Sequence, residues 1–481
     1  MQYDLSIING RLVYKDQVFK GHIGVKNGKI AIITNRKDML FNAKKIIDAN
    51  DNYILPGLID SHVHFRTPGL TYKETWKTAS RAAVAGGVTT VLDMPNTNPY
   101  LSKVDLIDEK NNLIKGTSLV DYGFHFGVEP GKSYYLNLLN SNMIASVKVF
   151  LTGHHTAKNI IKDRTELEEI FRIAAQKNII LTLHAEDEDT LNLFRQYNNA
   201  PTNLIEYERH LSRSAGIIAI GKAIELVKQY GTQVHVLHVS SAEEVELLEV
   251  AAKAGYPITF ETTPHQLWFD AMKDVELGSR VKLSPAIRCE KDQLKLWKSL
   301  INGTMISVGS DHAPHSNVEK KRDFYEAPPG LPGVQEILPV LITGLMKNYP
   351  DLTFEEILSK VVSVMAEGPS KLFKISDRKG RIEEGLDADF TIIDPEDEWV
   401  VKKEDIYSLC QWSAYEGETL KGRPFMTIRR GKVVYLNGEF GEADGKLLTF
   451  KEFDPSKFNE FMSSPFQQLN KMKAFRRTNI L

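Results

Sequence analysis

Eight apolar, strand-like segments recur through the middle of the chain: "LIDSHVHF", "VTTVLDMP", "DYGFHFGV", "SVKVFL", "IILTLHAE", "VHVLHVSS", "PITFETTP" and "ISVGSDHAP". Between most of them lie stretches such as "YKETWKTASRAAVAGG", "RTELEEIFRIAAQKN" and "SAEEVELLEVAAKAG", in which apolar residues recur at spacings of three and four, the period of an amphipathic helix. Eight βα units of this kind predict an α/β fold, a (β/α)8 TIM barrel over residues 56–375. In such barrels the functional face is the C-terminal end of the strands.

A chain of 481 residues exceeds one ordinary core, so a second unit is expected. Short β-like runs with hairpin cues at Asn9-Gly10 and Asn27-Gly28 fill residues 3–55, and the same texture returns in "GLDADFTIIDP" and "FMTIRRGKVVYLNGEF". Both ends are therefore expected to build one small β-sandwich domain, residues 1–55 plus 376–450, followed by a polar C-terminal extension at 451–481. A formal net charge of -2 argues against nucleic acid or an anionic membrane as the main partner. The two cysteines, Cys289 and Cys410, are too few for a disulfide framework or a thiolate zinc site. The N-terminus has no basic and apolar leader pattern, and no run reaches the roughly eighteen apolar residues of a membrane span, so a cytoplasmic protein is expected.

The strand ends carry unusual polar residues. His62 and His64 stand two apart, and side chains at i and i+2 of a strand share a face. Lys148 sits in the fourth strand segment, His184 ends the fifth, His238 the sixth and Asp311 the eighth. One such histidine is a core residue more often than a ligand. Four histidines and an aspartate at separate entries to one cleft point instead to metal, and imidazole and carboxylate donors without thiolate suit zinc or a related divalent ion. Six ligand positions exceed one tetrahedral ion and match two ions about 3.5 to 4 Å apart. An ammonium at Lys148 would be repelled there. A carbamate formed with carbon dioxide would provide an anionic bridge, and a buried ion pair is the alternative for this lysine.

"DSHVHFRTPG", "MPNTNP", "VKVFLTG", "LHAED", "LHVSS", "SDHAPHS" and "APPGLPGVQE", in this order, resemble the motifs of the cyclic amidohydrolases, most closely the dihydroorotases. The resemblance implies His62 and His64 on one metal with Asp311, His184 and His238 on the other, and carboxylated Lys148 bridging two zinc ions. It also implies Asp311 as general base and acid, a homo-oligomer (dimer or tetramer), and a place in pyrimidine biosynthesis through reversible hydrolysis of dihydroorotate to N-carbamoyl-aspartate.

Only dihydroorotate among the family's rings carries a carboxylate, and a carboxylate in a cleft calls for a charge-assisted, bidentate donor. The positions that hold it in dihydroorotases match Arg66, Asn96 and His315, so an anionic cyclic amide is the expected partner. Two stretches depart from the dihydroorotase pattern. "LSPAIRCEKDQLKLW" replaces the usual Asn-Pro-Pro-Leu-Arg, and Gln266 stands where a second histidine is common. These keep an allantoinase or a hydantoinase/dihydropyrimidinase as alternatives, and a non-catalytic scaffold is a further one. Of the other histidines, His125 reads as a satisfied core residue, His235 as facing the helices by strand parity, and His154 and His155 as loop residues at the barrel mouth.

Overall fold

The structure, a computed structural model, describes residues 2–153 and 156–451. Eight parallel strands form the barrel: β1 (Leu58–Val63), β2 (Val88–Asp93), β3 (Asp121–Gly127), β4 (Ser146–Phe150), β5 (Leu181–His184), β6 (Val234–Val236), β7 (Ile258–Thr262) and β8 (Ser307–Val308). Each falls inside one of the eight apolar segments. β8 is only two residues long, and the ring closes just beyond it, where His64 donates its backbone N–H to the His312 carbonyl at 2.9 Å.

The amphipathic stretches fold as helices because their caps and their apolar stripes agree. Helix Trp76–Ala85 starts at a Thr75/Thr78 capping box, helix Arg164–Gln176 at the Asp163 side chain and helix Ala242–Lys253 at a Ser241/Glu244 capping box. Such caps typically contribute about 1 kcal/mol each. Their buried faces, for example Leu167, Ile170 and Phe171 or Val245 and Leu248, pack on the outward residues of the strands in one continuous core.

The chain ends meet in a second sheet of nine strands. Tyr53–Pro56 pairs on one side with Leu5–Val13 and on the other, antiparallel, with Phe390–Ile393. This sheet closes over its own core of Ile7, Ile23, Ile54, Phe390, Ile392 and Ile428 as a small β-sandwich. The segment between Phe390–Ile393 and Pro424–Arg429 behaves differently. Its hairpin, Glu398–Val400 with Thr419–Lys421, packs Trp399, Trp412 and Tyr415 against Phe269, Leu283 and Val340 of the barrel. Among the described residues no helix is long and apolar enough to cross a membrane. His154, His155 and nearly all of the 451–481 extension lie outside the described residues.

Candidate active site

A cavity at the mouth of the barrel is lined by His62, His64, Lys148, His184, His238 and Asp311, together with Arg66, Phe150, Ser284 and Gly330. The Nε2 atoms of His62 and His64 converge on Asp311 Oδ1, at 3.3 and 3.0 Å. The His238 ring lies between those of His62 and His184, with centroids 5.4 and 4.6 Å away. Three side chains of this site hang from backbone in the left-handed region: Arg66 at φ 60°, His238 at 38° and Asp311 at 44°. Non-glycine residues there are strained by about 1 to 3 kcal/mol each and cluster where function requires them.

Neighbouring groups aim these side chains. Glu261 on β7 accepts a hydrogen bond from His62 Nδ1 at 2.7 Å. A carboxylate is acceptor only, so the His62 proton sits on Nδ1 and the Nε2 lone pair faces the cavity. The same carboxylate meets His235 Nε2 at 3.2 Å and the Ser61 and Ser307 hydroxyls at 3.3 Å. Burial pushes Glu261 up, but the hydrogen bonds from His235 and His62 outweigh it and hold the carboxyl well below its usual range. Gly309 makes room for the pair, since a Cβ there would come within 2.7 Å of His62 Cβ. His64 Nδ1 is held by Asn96 Oδ1 at 2.7 Å, and His184 Nε2 by Glu186 Oε2 at 2.8 Å, which also takes a bond from Ser284.

The residues fit a metal. The ligand atoms of His62, His64 and Asp311 lie within 4.8 Å of one another. Burial pushes His64 down to about 4 and His238 well below its ordinary value, so both rings are neutral, the form that ligates. Burial raises the Asp311 carboxyl and the neighbouring His62 and His64 lower it, leaving it well below its ordinary value. Burial also pushes Lys148 down to about 7. Its Nζ lies 4.6 Å over the Phe150 ring and has no hydrogen-bond or ion-pair partner among the described residues.

Arg66 is fully buried, and none of its three guanidinium nitrogens has a hydrogen-bond partner among the described residues. Burial pushes it down to about 10, so it stays protonated at neutral pH. Its backbone is fixed from β2, where Asp93 accepts the Phe65 N–H at 2.7 Å and is itself paired with buried Lys110. The other two expected carboxylate donors do not line the cavity. Asn96 spends its carbonyl on His64, and its amide reaches Thr156 Oγ1 at 3.3 Å. His315 lies behind Gly330, with Nδ1 2.8 Å from Lys73 Nζ.

His235 corrects the sequence reading. It points into the barrel, fully buried, between Thr259 Oγ1 at 2.8 Å and Glu261. β6 ends at Val236 and the chain enters positive φ at His238, so alternation does not carry from one histidine to the other. His125 is satisfied as expected, by Ser146 Oγ and the Ser61 carbonyl. Arg288 serves the loop rather than the cavity, donating to the Leu211 carbonyl at 2.6 Å, and Gln266 closes on Thr263 at the start of the short helix Pro264–Trp268. Sequence reasoning missed Glu261 and Glu186. The one signal for Glu261 was a lone carboxylate within an otherwise uncharged strand, "ITFET".

A sequence profile of the amidohydrolase family matches residues 53–434, and the chain belongs to that family. It is a metal-dependent cyclic amidohydrolase. Curated relatives include a dihydroorotase of Halobacterium salinarum, 35% identical over 401 residues (83% of this chain, 90% of the relative), and one of Methanosphaera stadtmanae, 33% identical over 434 residues (89% and 96%). Among solved structures, an L-hydantoinase (dihydropyrimidinase) from Arthrobacter aurescens superposes with a TM-score of 0.88 at 29% identity, covering 93% of this chain and 100% of that one. A dihydropyrimidinase from Brevibacillus agri gives 0.85 at 27%, covering 93% and 99%.

Proposed function

We propose that the protein is a dihydroorotase, hydrolysing the cyclic amide of dihydroorotate reversibly to N-carbamoyl-aspartate, as a step of pyrimidine biosynthesis in the cytoplasm. The observation that carries this reading is Arg66, a buried, protonated guanidinium at the cavity wall with no protein anion bonded to it. A buried cation without a partner is costly, and a substrate carboxylate would supply the bidentate acceptor it lacks. The curated relatives named dihydroorotases support the same choice.

In this reading His62, His64 and Asp311 would hold one ion, His184 and His238 the other, and Lys148, as a carbamate, would serve both. With Nε2 of His184 engaged by Glu186, its ligand nitrogen would be Nδ1. Carbamate formation needs a neutral amine, and burial gives Lys148 that form near neutral pH. A pair of divalent ions held there, zinc by donor chemistry, would supply a water of lowered pKa and a Lewis acid for the ring carbonyl. Asp311, ionised and aimed by two histidines, accepts the proton of the attacking water and returns it to the leaving ring nitrogen. In the synthetic direction it starts protonated. Arg66 grips the carboxylate and sets the ring's orientation.

Arg66→Met tests the reading. Losing one charged hydrogen bond costs about 1.5 to 3 kcal/mol, so kcat/KM on dihydroorotate should fall roughly ten-fold to more than a hundred-fold while bound metal is unchanged. An unchanged kcat/KM removes the carboxylate from Arg66. The second reading, a hydantoinase or dihydropyrimidinase, is favoured by the fit to the Arthrobacter structure. It requires uncharged rings to be turned over as well as dihydroorotate.

A further inference from the structure

Behind the cavity wall runs a chain of three polar groups: partly exposed Glu319, and buried Lys73 and His315. Lys73 is 1% exposed. Its Nζ contacts Glu319 Oε1 on one side and His315 Nδ1, at 2.8 Å, on the other. Glu319 is itself immobilised, because its Oε2 closes the capping box of helix Asn317–Lys320 with the Ser316 N–H and hydroxyl, both at 3.0 Å. The His315 backbone is pinned as well, with its carbonyl accepting the Trp412 indole N–H at 2.8 Å.

The chemistry of this chain leaves one arrangement of protons. A lysine ammonium has three donors and no acceptor. The ring nitrogen facing it must therefore accept, which places the imidazole proton on Nε2. An imidazolium would set an N–H against the ammonium and be repelled. Nε2 lies on the Gly330 side, and Gly330 is part of the cavity wall. A Cβ at Gly330 would stand 3.0 Å from Nε2 and 2.7 Å from the Ala313 carbonyl, and the φ of 127° there suits glycine alone. The missing side chain keeps the wall thin where the imidazole donor comes closest.

We infer that Lys73, held by Glu319, is a positioning residue that fixes His315 as its Nε2–H tautomer, so that the ring presents a donor to an anionic group bound at the Gly330 wall. The inference rests on the proposed dihydroorotase reading for the identity of that anion, the ring carboxylate, and not for the tautomer. Lys73 acts through His315 and does not touch substrate.

The test is ¹⁵N NMR of the metal-loaded, full-length protein labelled with [¹⁵N]histidine, with the His315 signals assigned by their loss in His315→Gln. Wild type should show His315 with a protonated Nε2 and an unprotonated Nδ1, and Lys73→Met should give a mixed or reversed tautomer. KM for dihydroorotate should rise about ten-fold in that variant, kcat should change less than three-fold, and Lys73→Arg should restore most of the loss. A wild-type His315 protonated on Nδ1 overturns the inference without any variant. So does a Lys73→Met protein whose His315 stays wholly in the Nε2–H form. Should the tautomer respond as expected while wild type shows no preference for dihydroorotate over dihydrouracil, Lys73 keeps its role and the carboxylate reading falls.

Discussion

Glu261→Gln separates orientation of a ligand from supply of one. Glu261 is not at the cavity wall, yet its Oε1 holds His62 Nδ1 at 2.7 Å and thereby dictates which ring nitrogen faces the ions. Glutamine keeps the size and one acceptor, so the fold should survive, but the negative charge that supports His62 is lost. The hydrogen bonds from His235 and His62 hold this carboxyl well below its usual range against the penalty of full burial. Loss of a carboxylate behind a metal-bound histidine typically weakens metal binding about 10 to 100-fold, equivalent to roughly 1.4 to 2.8 kcal/mol. Competition with a chromophoric chelator reads this directly, independent of turnover. Metal dissociation constants equal in variant and wild type would refute the assignment of His62 orientation to Glu261.

Lys148→Ala should lose metal and activity together and regain part of both with a short carboxylic acid that fills the gap; a variant that keeps two ions and near-normal turnover removes the bridge. Asp311→Asn keeps the size of the side chain but cannot take a proton, and kcat should drop by about 10² to 10⁴ while substrate still binds; full activity would exclude Asp311 as base. Acid should destabilise the metal-free protein through two buried imidazoles, because burial pushes His125 down to about 3 and His265 to about 4 from an ordinary value of 6.5. The unfolded chain takes up those protons first, so the stability is complete above about pH 6.5 and is lost as pH falls toward 4, by about 1.4 kcal/mol per pH unit for each ring. Urea midpoints at pH 7 and 5 read this, and His125→Asn should flatten the decline; an equal decline in the variant contradicts it.

The barrel was legible because each strand and helix carries its own periodicity, a property of a dozen contiguous residues. The six cavity residues were legible because five sit at strand ends and Lys148 within β4, where topology alone brings them together. What surrounds them was not. Glu261 and His62 are 199 positions apart, and Glu186 reads as one acid among several in "AEDED". Parity failed for His235 because it assumes a strand that runs on, whereas β6 stops after three residues. Asn96 and His315, expected at the substrate, also engage His64 and Lys73, contacts between loops that no local pattern announces. The hairpin Glu398–Val400 with Thr419–Lys421 looks in sequence like more of the sandwich, and only the burial of Trp412 and Tyr415 against barrel residues shows where it packs.

The central claim is that this cavity is built for a ring bearing a carboxylate. The most direct measurement is kcat/KM of the fully metal-loaded wild-type protein on dihydroorotate, dihydrouracil, hydantoin and allantoin, side by side. The account predicts that dihydroorotate is preferred by at least ten-fold over every uncharged ring, the margin of one desolvated charged hydrogen bond. Turnover of hydantoin, dihydrouracil or allantoin equal to that of dihydroorotate would contradict it.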